Sequence, residues 1–217
     1  MYKLVKRIID ILIAGIALVL LSPIFIVVII VLLFTGEHVV FYFQKRIGYK
    51  NRPFKIWKFA TMLKDSPNIG TGIITLRNDP RVTRVGKILR ITKINELPQI
   101  INVLKGDMSI VGPRPLVAKS VNLYPESIKE KLYDVMPGMT GIGSLIFRDE
   151  EKMLSCGNPR EMYRIIYLHK GELEMWYQKH ASLSTDIKII FITAWSIIFP
   201  KSKLEDKAFK GLPGKSF

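Results

Sequence analysis

From Ile11 to Phe34 the sequence carries no charged residue, and no other feature restricts its fold as strongly. The run is long enough for a helix to cross the hydrocarbon core, which takes about 20 residues. Two observations argue against a simple crossing. Ser22-Pro23 stands in the middle of the run, where proline removes a backbone donor and clashes with the preceding turn, so a break or sharp kink is expected. Basic residues lie on both sides, Lys3, Lys6 and Arg7 before and Lys45, Arg46, Lys50 and Arg52 after, so the positive-inside rule selects no orientation for a span. A helix-break-helix hairpin that enters and leaves on one face satisfies both flanks. A cleaved signal peptide fits less well, because the apolar core is too long and no small-x-small site follows it. Asp10, at the entrance, is expected to pair with Lys6 or Arg7, one helical turn or less away.

The 217 residues suffice for one sizeable domain, and no shift of composition divides them. A formal charge of +15 beside a mean hydropathy of +0.21 means that basic and apolar residues are segregated along the chain. Such a basic excess favours polyanions: nucleic acid, anionic head groups or phosphorylated small molecules. A single cysteine, Cys156, excludes an intramolecular disulfide and suits a reducing compartment.

Beyond Gly36 the pattern changes to strand-like runs at Val39–Phe43 and Phe54–Phe59, joined by a basic turn at Lys45–Gly48. Ser66–Pro80 reads as a loop. Helical spacing from Val85 to Leu104, interrupted by Pro98, predicts two short helices meeting near Asn95–Pro98. Gly106–Pro115 and Pro137–Gly143 read as ordered loops, and helices are expected around Glu126–Val135, Pro159–Lys179 and Asp186–Phe199. The last is too short to span and suits either the core or a membrane interface. The expected fold is α+β and helix-rich: a re-entrant membrane helix hairpin over residues 1–36, followed by one globular domain over residues 37–217.

The chemistry is written in arginines. Arg77, Arg81, Arg84, Lys87 and Arg90 lead into Asn95-Glu96, and Arg114 follows between two prolines. Guanidinium groups bind phosphate oxygens through paired, charge-assisted hydrogen bonds. A carboxylate embedded in that field suits Mg²⁺, which phosphoryl-transfer sites use to neutralise developing charge. A solvated helix face or a head-group patch accounts for the charge equally well. His38, His169 and His180 are scattered, and no metal-ligand array, P-loop or Ser/His/Asp arrangement is evident.

The motifs FYFQKRIG (Phe41–Gly48), FKIWKFATM (Phe54–Met62), TRVGKILR (Thr83–Arg90), NELPQ (Asn95–Gln99), NVLKGDMSIVGPRP (Asn102–Pro115) and PGMTG (Pro137–Gly141) occur in this order after the broken apolar run. Together they resemble the monotopic phosphoglycosyl transferases, bacterial sugar transferases, over nearly the whole chain. The resemblance implies transfer of a sugar-1-phosphate from a UDP-sugar to undecaprenyl phosphate, with release of UMP, as the first membrane step of surface glycan synthesis. It implies Mg²⁺, a location in membrane lipid on the cytoplasmic face of the bacterial inner membrane, and a re-entrant helix broken at Ser22-Pro23; it allows a homodimer and gives no role to nucleic acid. In the family an adjacent Asp-Glu pair does the chemistry, the Asp attacking the β-phosphate. By resemblance Glu96 is the second member, Arg84, Arg90 and Arg114 hold phosphate or substrate, Lys58 lies near the site, and Arg148 matches an arginine implicated in nucleotide binding.

Asn95 stands where the family has its nucleophilic Asp, and an amide is not a competent nucleophile towards phosphorus. Ala60 also departs, standing where many relatives have Arg or Lys. Three readings follow. Glu96 serves as nucleophile, or as base and metal ligand while the lipid phosphate attacks directly; Asp149-Glu150-Glu151 beside Arg148 supplies a carboxylate; or the chain is a lapsed homologue that binds nucleotide sugar as a membrane-tethered scaffold. For Asp149–Glu151 a plain helix start is the simpler account, since acidic residues favour helix N-termini.

Overall fold

The computed structural model describes residues 1–69, 75, 78–154, 158–202 and 204–214, so Arg77 and Cys156 lie outside the described residues. The chain opens with α1 (Tyr2–Phe34), a single helix that runs through Pro23. The break expected at Ser22-Pro23 is therefore not seen. Proline deprives the carbonyl of Val19 of its helical donor, and the Ser22 hydroxyl donates to that same oxygen at 2.8 Å. A serine placed just before the proline thus repairs the ladder locally.

One stripe of α1 is buried: Asp10, Ala14, Phe25, Val28 and Leu32, with Leu18 and Leu21 half-covered between them. At about 1.5 Å per residue the helix is roughly 50 Å long, and both halves pack on the same domain, Ala14 against Ile100 and Val103, Phe25 and Leu32 in a cluster with Phe59 and Leu89. The opposite face, including Leu12, Ile16, Val19, Leu20, Ile26, Val27 and Phe34, is exposed. Among the described residues α1 is the one helix long and apolar enough to cross a membrane.

β1 (Phe41–Ile47) and β2 (Pro53–Phe59) form an antiparallel hairpin in the register Phe41↔Phe59 to Ile47↔Pro53. Lys45 and Arg46, expected in the turn, are strand residues. The reversal occurs later, where Lys50 and Asn51 adopt left-handed backbone (φ 51° and 58°), a conformation in which asparagine is enriched. α2 (Arg84–Ile91) starts at Thr83, whose hydroxyl accepts from the Gly86 N–H at 2.9 Å. After it, left-handed Lys93 turns the chain into a short 3₁₀ turn, Ile94–Glu96, and then α3 (Gln99–Lys105), closed by Gly106 at φ 90°. The two helices expected to meet near Asn95–Pro98 do so.

The remaining elements are β3 (Ser109–Val111), α4 (Ala118–Val121), α5 (Glu126–Lys129), β4 (Gly138–Thr140), α6 (Ile142–Ile146), α7 (Glu150–Leu154), α8 (Pro159–His180), α9 (Leu183–Ile198) and α10 (Leu204–Ala208). The two segments expected as loops are in fact a parallel strand pair, Ser109↔Gly138 and Val111↔Thr140. Their glycines allow the approach: a Cβ on Gly112 would stand 2.2 Å from the Met136 carbonyl oxygen. The helix expected over Glu126–Val135 is a single turn, α5, followed by turns. The main core lies between α8 and α9, with Tyr133, Ile142, Ile166, Leu173, Tyr177 and Ile189 among its most enclosed members. α9 packs one face in the core, burying Ile189 and Ile192, and exposes Ile187, Phe191, Trp195 and Ile198 on the other.

Asp10 does not pair with Lys6 or Arg7. Its carboxylate accepts from the Ser109 hydroxyl at 2.7 Å and the Ile110 N–H at 3.1 Å. Lys6 pairs instead with Asp186 at 2.8 Å, and Arg7 donates to the Val103 and Leu104 carbonyls at the end of α3. Long-range partners outbid the local ones because burying Asp10 required an internal donor.

Candidate active site

Glu96 is gripped from two sides. Lys58 Nζ donates to Oε1 at 2.7 Å, and Arg114 forms a forked contact, Nη2 to Oε1 at 2.6 Å and Nη1 to Oε2 at 3.2 Å. Each side chain has a local reason for its place. Lys58 sits on β2, whose alternation turns it to the same face as Gln44 and Arg46 of β1. Glu96 ends the 3₁₀ turn that follows α2. Arg114 lies between Pro113 and Pro115, and its carbonyl accepts from the Tyr133 hydroxyl, which in turn accepts from the Leu116 N–H. The Glu96, Lys58 and Arg114 side chains keep 20%, 15% and 34% of their exposure, so the trio is recessed but reachable.

The electrostatics follow from that geometry. Burial pushes the Glu96 carboxyl up, but Arg114 and then Lys58 outweigh it and hold Glu96 well below the usual carboxylate range. Burial lowers Lys58 to about 8, with Glu96 opposing and the Arg114 and Arg46 charges assisting. At neutral pH the centre is thus an anion between two cations, carrying a net positive charge. Lys58 and Arg114 carry more N–H donors than Glu96 uses, so an arriving phosphate can bond to them while Glu96 stays gripped.

Asn95 is buried at 7% exposure, and its Oδ1 has no hydrogen-bond partner. Of the other expected site residues, Arg90 is half-buried in the last turn of α2, close in sequence to the Glu96 turn, whereas Arg84 is exposed at the opposite end of that helix. Arg148 is drawn elsewhere: its Nη2 donates to the Pro200 and Ser202 carbonyls, and Glu205 lies 3.8 Å away. Arg81 is structural, clasping Asp79 and the Ser66 and Ile69 carbonyls. In the acidic trio, Asp149 is exposed and precedes α7, as a helix start should. Glu150 is different, because it pairs with Lys170 at 2.6 Å and its charge is felt by Arg114.

Sequence reasoning missed four participants: Arg46, Lys170, Glu174 and Glu150 as an individual. Arg46 donates to Gln44 Oε1 at 2.6 Å and to the Pro115 carbonyl at 3.2 Å. A signal for Lys170 and Glu174 existed, since Tyr163, Tyr167, Lys170, Glu174 and Tyr177 recur at spacings of four and three, one face of a helix. Charges on a face otherwise built of tyrosine are buried charges, and buried charges need partners.

The donor set does not fit a resident magnesium cage. Both Glu96 oxygens are already engaged by cations, and the described residues contain no group of three or more His, Cys, Asp or Glu able to hold a metal.

A family model described as bacterial sugar transferase matches residues 1–200. The exopolysaccharide production protein ExoY of Sinorhizobium fredii is 33% identical over 202 residues, covering 87% of this chain and 83% of that protein. The UDP-glucose:undecaprenyl-phosphate glucose-1-phosphate transferase of Escherichia coli K12 is 36% identical over 89% of this chain and 40% of its own length. The UDP-N-acetylgalactosamine-undecaprenyl-phosphate N-acetylgalactosaminephosphotransferase of Aeromonas hydrophila is 36% identical over 91% of this chain and 44% of its own length. The chain thus spans most of ExoY and less than half of the two larger relatives. A match running from the apolar helix through every residue of the Lys58–Glu96–Arg114 centre places this chain in the bacterial sugar transferase family.

Proposed function

We propose that the chain transfers a sugar-1-phosphate from a UDP-sugar to undecaprenyl phosphate at the cytoplasmic face of the bacterial inner membrane, releasing UMP. The observation that carries this reading is the grip of Lys58 and Arg114 on Glu96. Two cations held by one carboxylate are pre-aimed at the place where a diphosphate must lie, and preorganised charge of this kind stabilises phosphoryl transfer. Both Glu96 oxygens are committed and Asn95 is neutral, so direct attack by the lipid phosphate is the route this centre favours. An oxygen of undecaprenyl phosphate bonds to the β-phosphorus while the bond from that phosphorus to the bridging oxygen breaks, and the electron pair leaves with UMP. Glu96 orients the cations and keeps Lys58 charged; Lys58 and Arg114 receive the phosphate oxygens. Magnesium enters this scheme as an ion carried by the diphosphate, and no step depends on a resident site.

The membrane element serves presentation. Both halves of α1 lie on one domain, which supports a helix lying along one side of the membrane rather than a crossing that carries the domain away from one end. The exposed apolar faces of α1 and α9 meet lipid together, leaving the basic centre at the depth of the lipid phosphate.

A second reading is binding without transfer, favoured by Asn95. Release of UMP from a panel of UDP-sugars with undecaprenyl phosphate separates the two. Turnover by the parent, abolished in Glu96→Gln, with no phosphosugar adduct by intact mass, supports direct transfer. An adduct in the parent overturns the direct route. No turnover on any sugar, with activity gained in Asn95→Asp, establishes the binding-only reading.

A further inference from the structure

Arg46 is a half-buried guanidinium without a counter-ion. It lies on β1, and the alternation of the hairpin sets it on the face that also carries Gln44 and Lys58. Its Nη2 donates to Gln44 Oε1 at 2.6 Å and its Nη1 to the Pro115 carbonyl at 3.2 Å, and both acceptors are neutral. Its Nε is enclosed without a partner. Among the described residues no carboxylate forms an ion pair with it, and Glu96, the acid of this centre, is already held by Lys58 and Arg114. Withdrawing a guanidinium from water without an opposing charge is costly. Burial and the Arg114 charge accordingly pull Arg46 below the usual arginine range.

We propose that Arg46 is a third anion-binding group of the centre and takes the α-phosphate of the nucleotide, while Lys58 and Arg114 take the β-phosphate. The identity of the substrate rests on the transferase reading; the unpaired cation rests on geometry alone. Two phosphoryl groups joined through one oxygen need cations side by side, and the Pro115 contact brings Arg46 to the residue that follows Arg114. Each terminal nitrogen of Arg46 bears two hydrogens and spends one, so a second hydrogen on each is left for a ligand oxygen. Gln44 and Pro115 fix the plane of the fork before any ligand arrives.

That position matters for the leaving group. As an oxygen of the lipid phosphate bonds to the β-phosphorus, the bond from that phosphorus to the bridging oxygen breaks, and its electron pair passes to the α-phosphate of UMP. Negative charge therefore grows on the group beside Arg46, where a cation already in place stabilises it without reorganisation.

The test is calorimetric titration of UMP and of UDP into the full-length protein in nanodiscs at neutral pH, with Lys58→Met as the reference variant. Arg46→Met is expected to weaken UMP and UDP alike, by about tenfold or more, whereas Lys58→Met weakens UDP by that factor and changes UMP less than about twofold. Arg46→Lys should recover part of the loss, since it keeps the charge without the fork. Should Arg46→Met not fold, Arg46→Gln, which keeps an amide donor for Pro115, makes the same comparison. A folded variant that binds UMP as tightly as the parent overturns the proposal. So does parental nucleotide binding with a raised KM for undecaprenyl phosphate, because Arg46 would then serve the lipid phosphate. A parent that binds UMP without turnover sinks the transferase reading and leaves the comparison intact; a parent that binds neither nucleotide overturns the assignment of Arg46.

Discussion

Arg114 meets Glu96 through both terminal nitrogens, at 2.6 and 3.2 Å, although 18 residues separate them in the chain. The fork is what distinguishes arginine here, since lysine offers a point charge and cannot span two carboxylate oxygens. Arg114→Lys is therefore expected to lose about tenfold or more in kcat/KM, and Arg114→Met more. Arg114→Met also strips a half-buried carboxylate of a charged partner, at a cost of about 1–3 kcal/mol. Steady-state UMP release and thermal unfolding in detergent check the two effects.

The same centre fixes a pH response. Lys58 loses its charge as pH rises through about 8, so UDP affinity is expected to fall above that pH. In Lys58→Arg the fall moves out of the accessible range. On the acid side Glu96 has a depressed folded pKa. Its contribution to stability is complete above the unfolded value of about 4.3 and is lost as pH falls through the folded value. Glu96→Gln should remove that acid limb. Calorimetric titration of UDP from pH 6 to 10, and unfolding from pH 2 to 6, measure both.

How much of this was legible before the structure depended on the distance over which a residue finds its partner. α2, the Asn95–Pro98 junction and α3 were readable, because a threonine cap, a proline and a closing glycine act within a few positions. The β3–β4 pair was not, because three-residue parallel strands between glycines and prolines carry no alternation, and their pairing joins segments about 30 residues apart. Glu96 and Arg114 stood out as a carboxylate and a proline-flanked arginine in a basic stretch, whereas Lys58 was reached only through the family resemblance. The partners of Arg148 were not legible either, since nothing in its own neighbourhood shows that the carbonyls of Pro200 and Ser202 will claim its guanidinium. The apolar run announced its membrane character plainly, but the Ser22 hydroxyl that keeps α1 helical across Pro23 is an effect of a single atom.

Gly112 tests the strand pair that carries Arg114. A Cβ there meets the backbone oxygen of Met136, which cannot move aside as a side-chain end can. Gly112→Ala is expected to destabilise the protein by about 1–3 kcal/mol, at the upper end of that range, and to reduce UMP release even where the chain still folds. Gly15→Ala, with nothing within 4 Å of the added atom, should change neither.

Asp10 links the membrane helix to the chemistry. Its carboxylate, 4% exposed, holds the Ser109 hydroxyl and the Ile110 N–H at the start of β3, and β3 runs directly into Gly112-Pro113-Arg114. Asp10→Ala leaves a buried hydroxyl and a backbone donor unsatisfied, at about 1–3 kcal/mol. Membrane partitioning should hardly change, because the lipid-facing surface of α1 is untouched. Turnover should fall, because the strand that aims Arg114 loses its anchor. In a double-mutant cycle Asp10→Ala and Ser109→Ala should cost less together than the sum of the two alone, since they share one contact. Flotation with liposomes, thermal unfolding and UMP release on the same four proteins separate anchoring from catalysis. If Asp10→Ala detached the protein from liposomes while leaving kcat unchanged, the connection from α1 through β3 to Arg114 would be excluded.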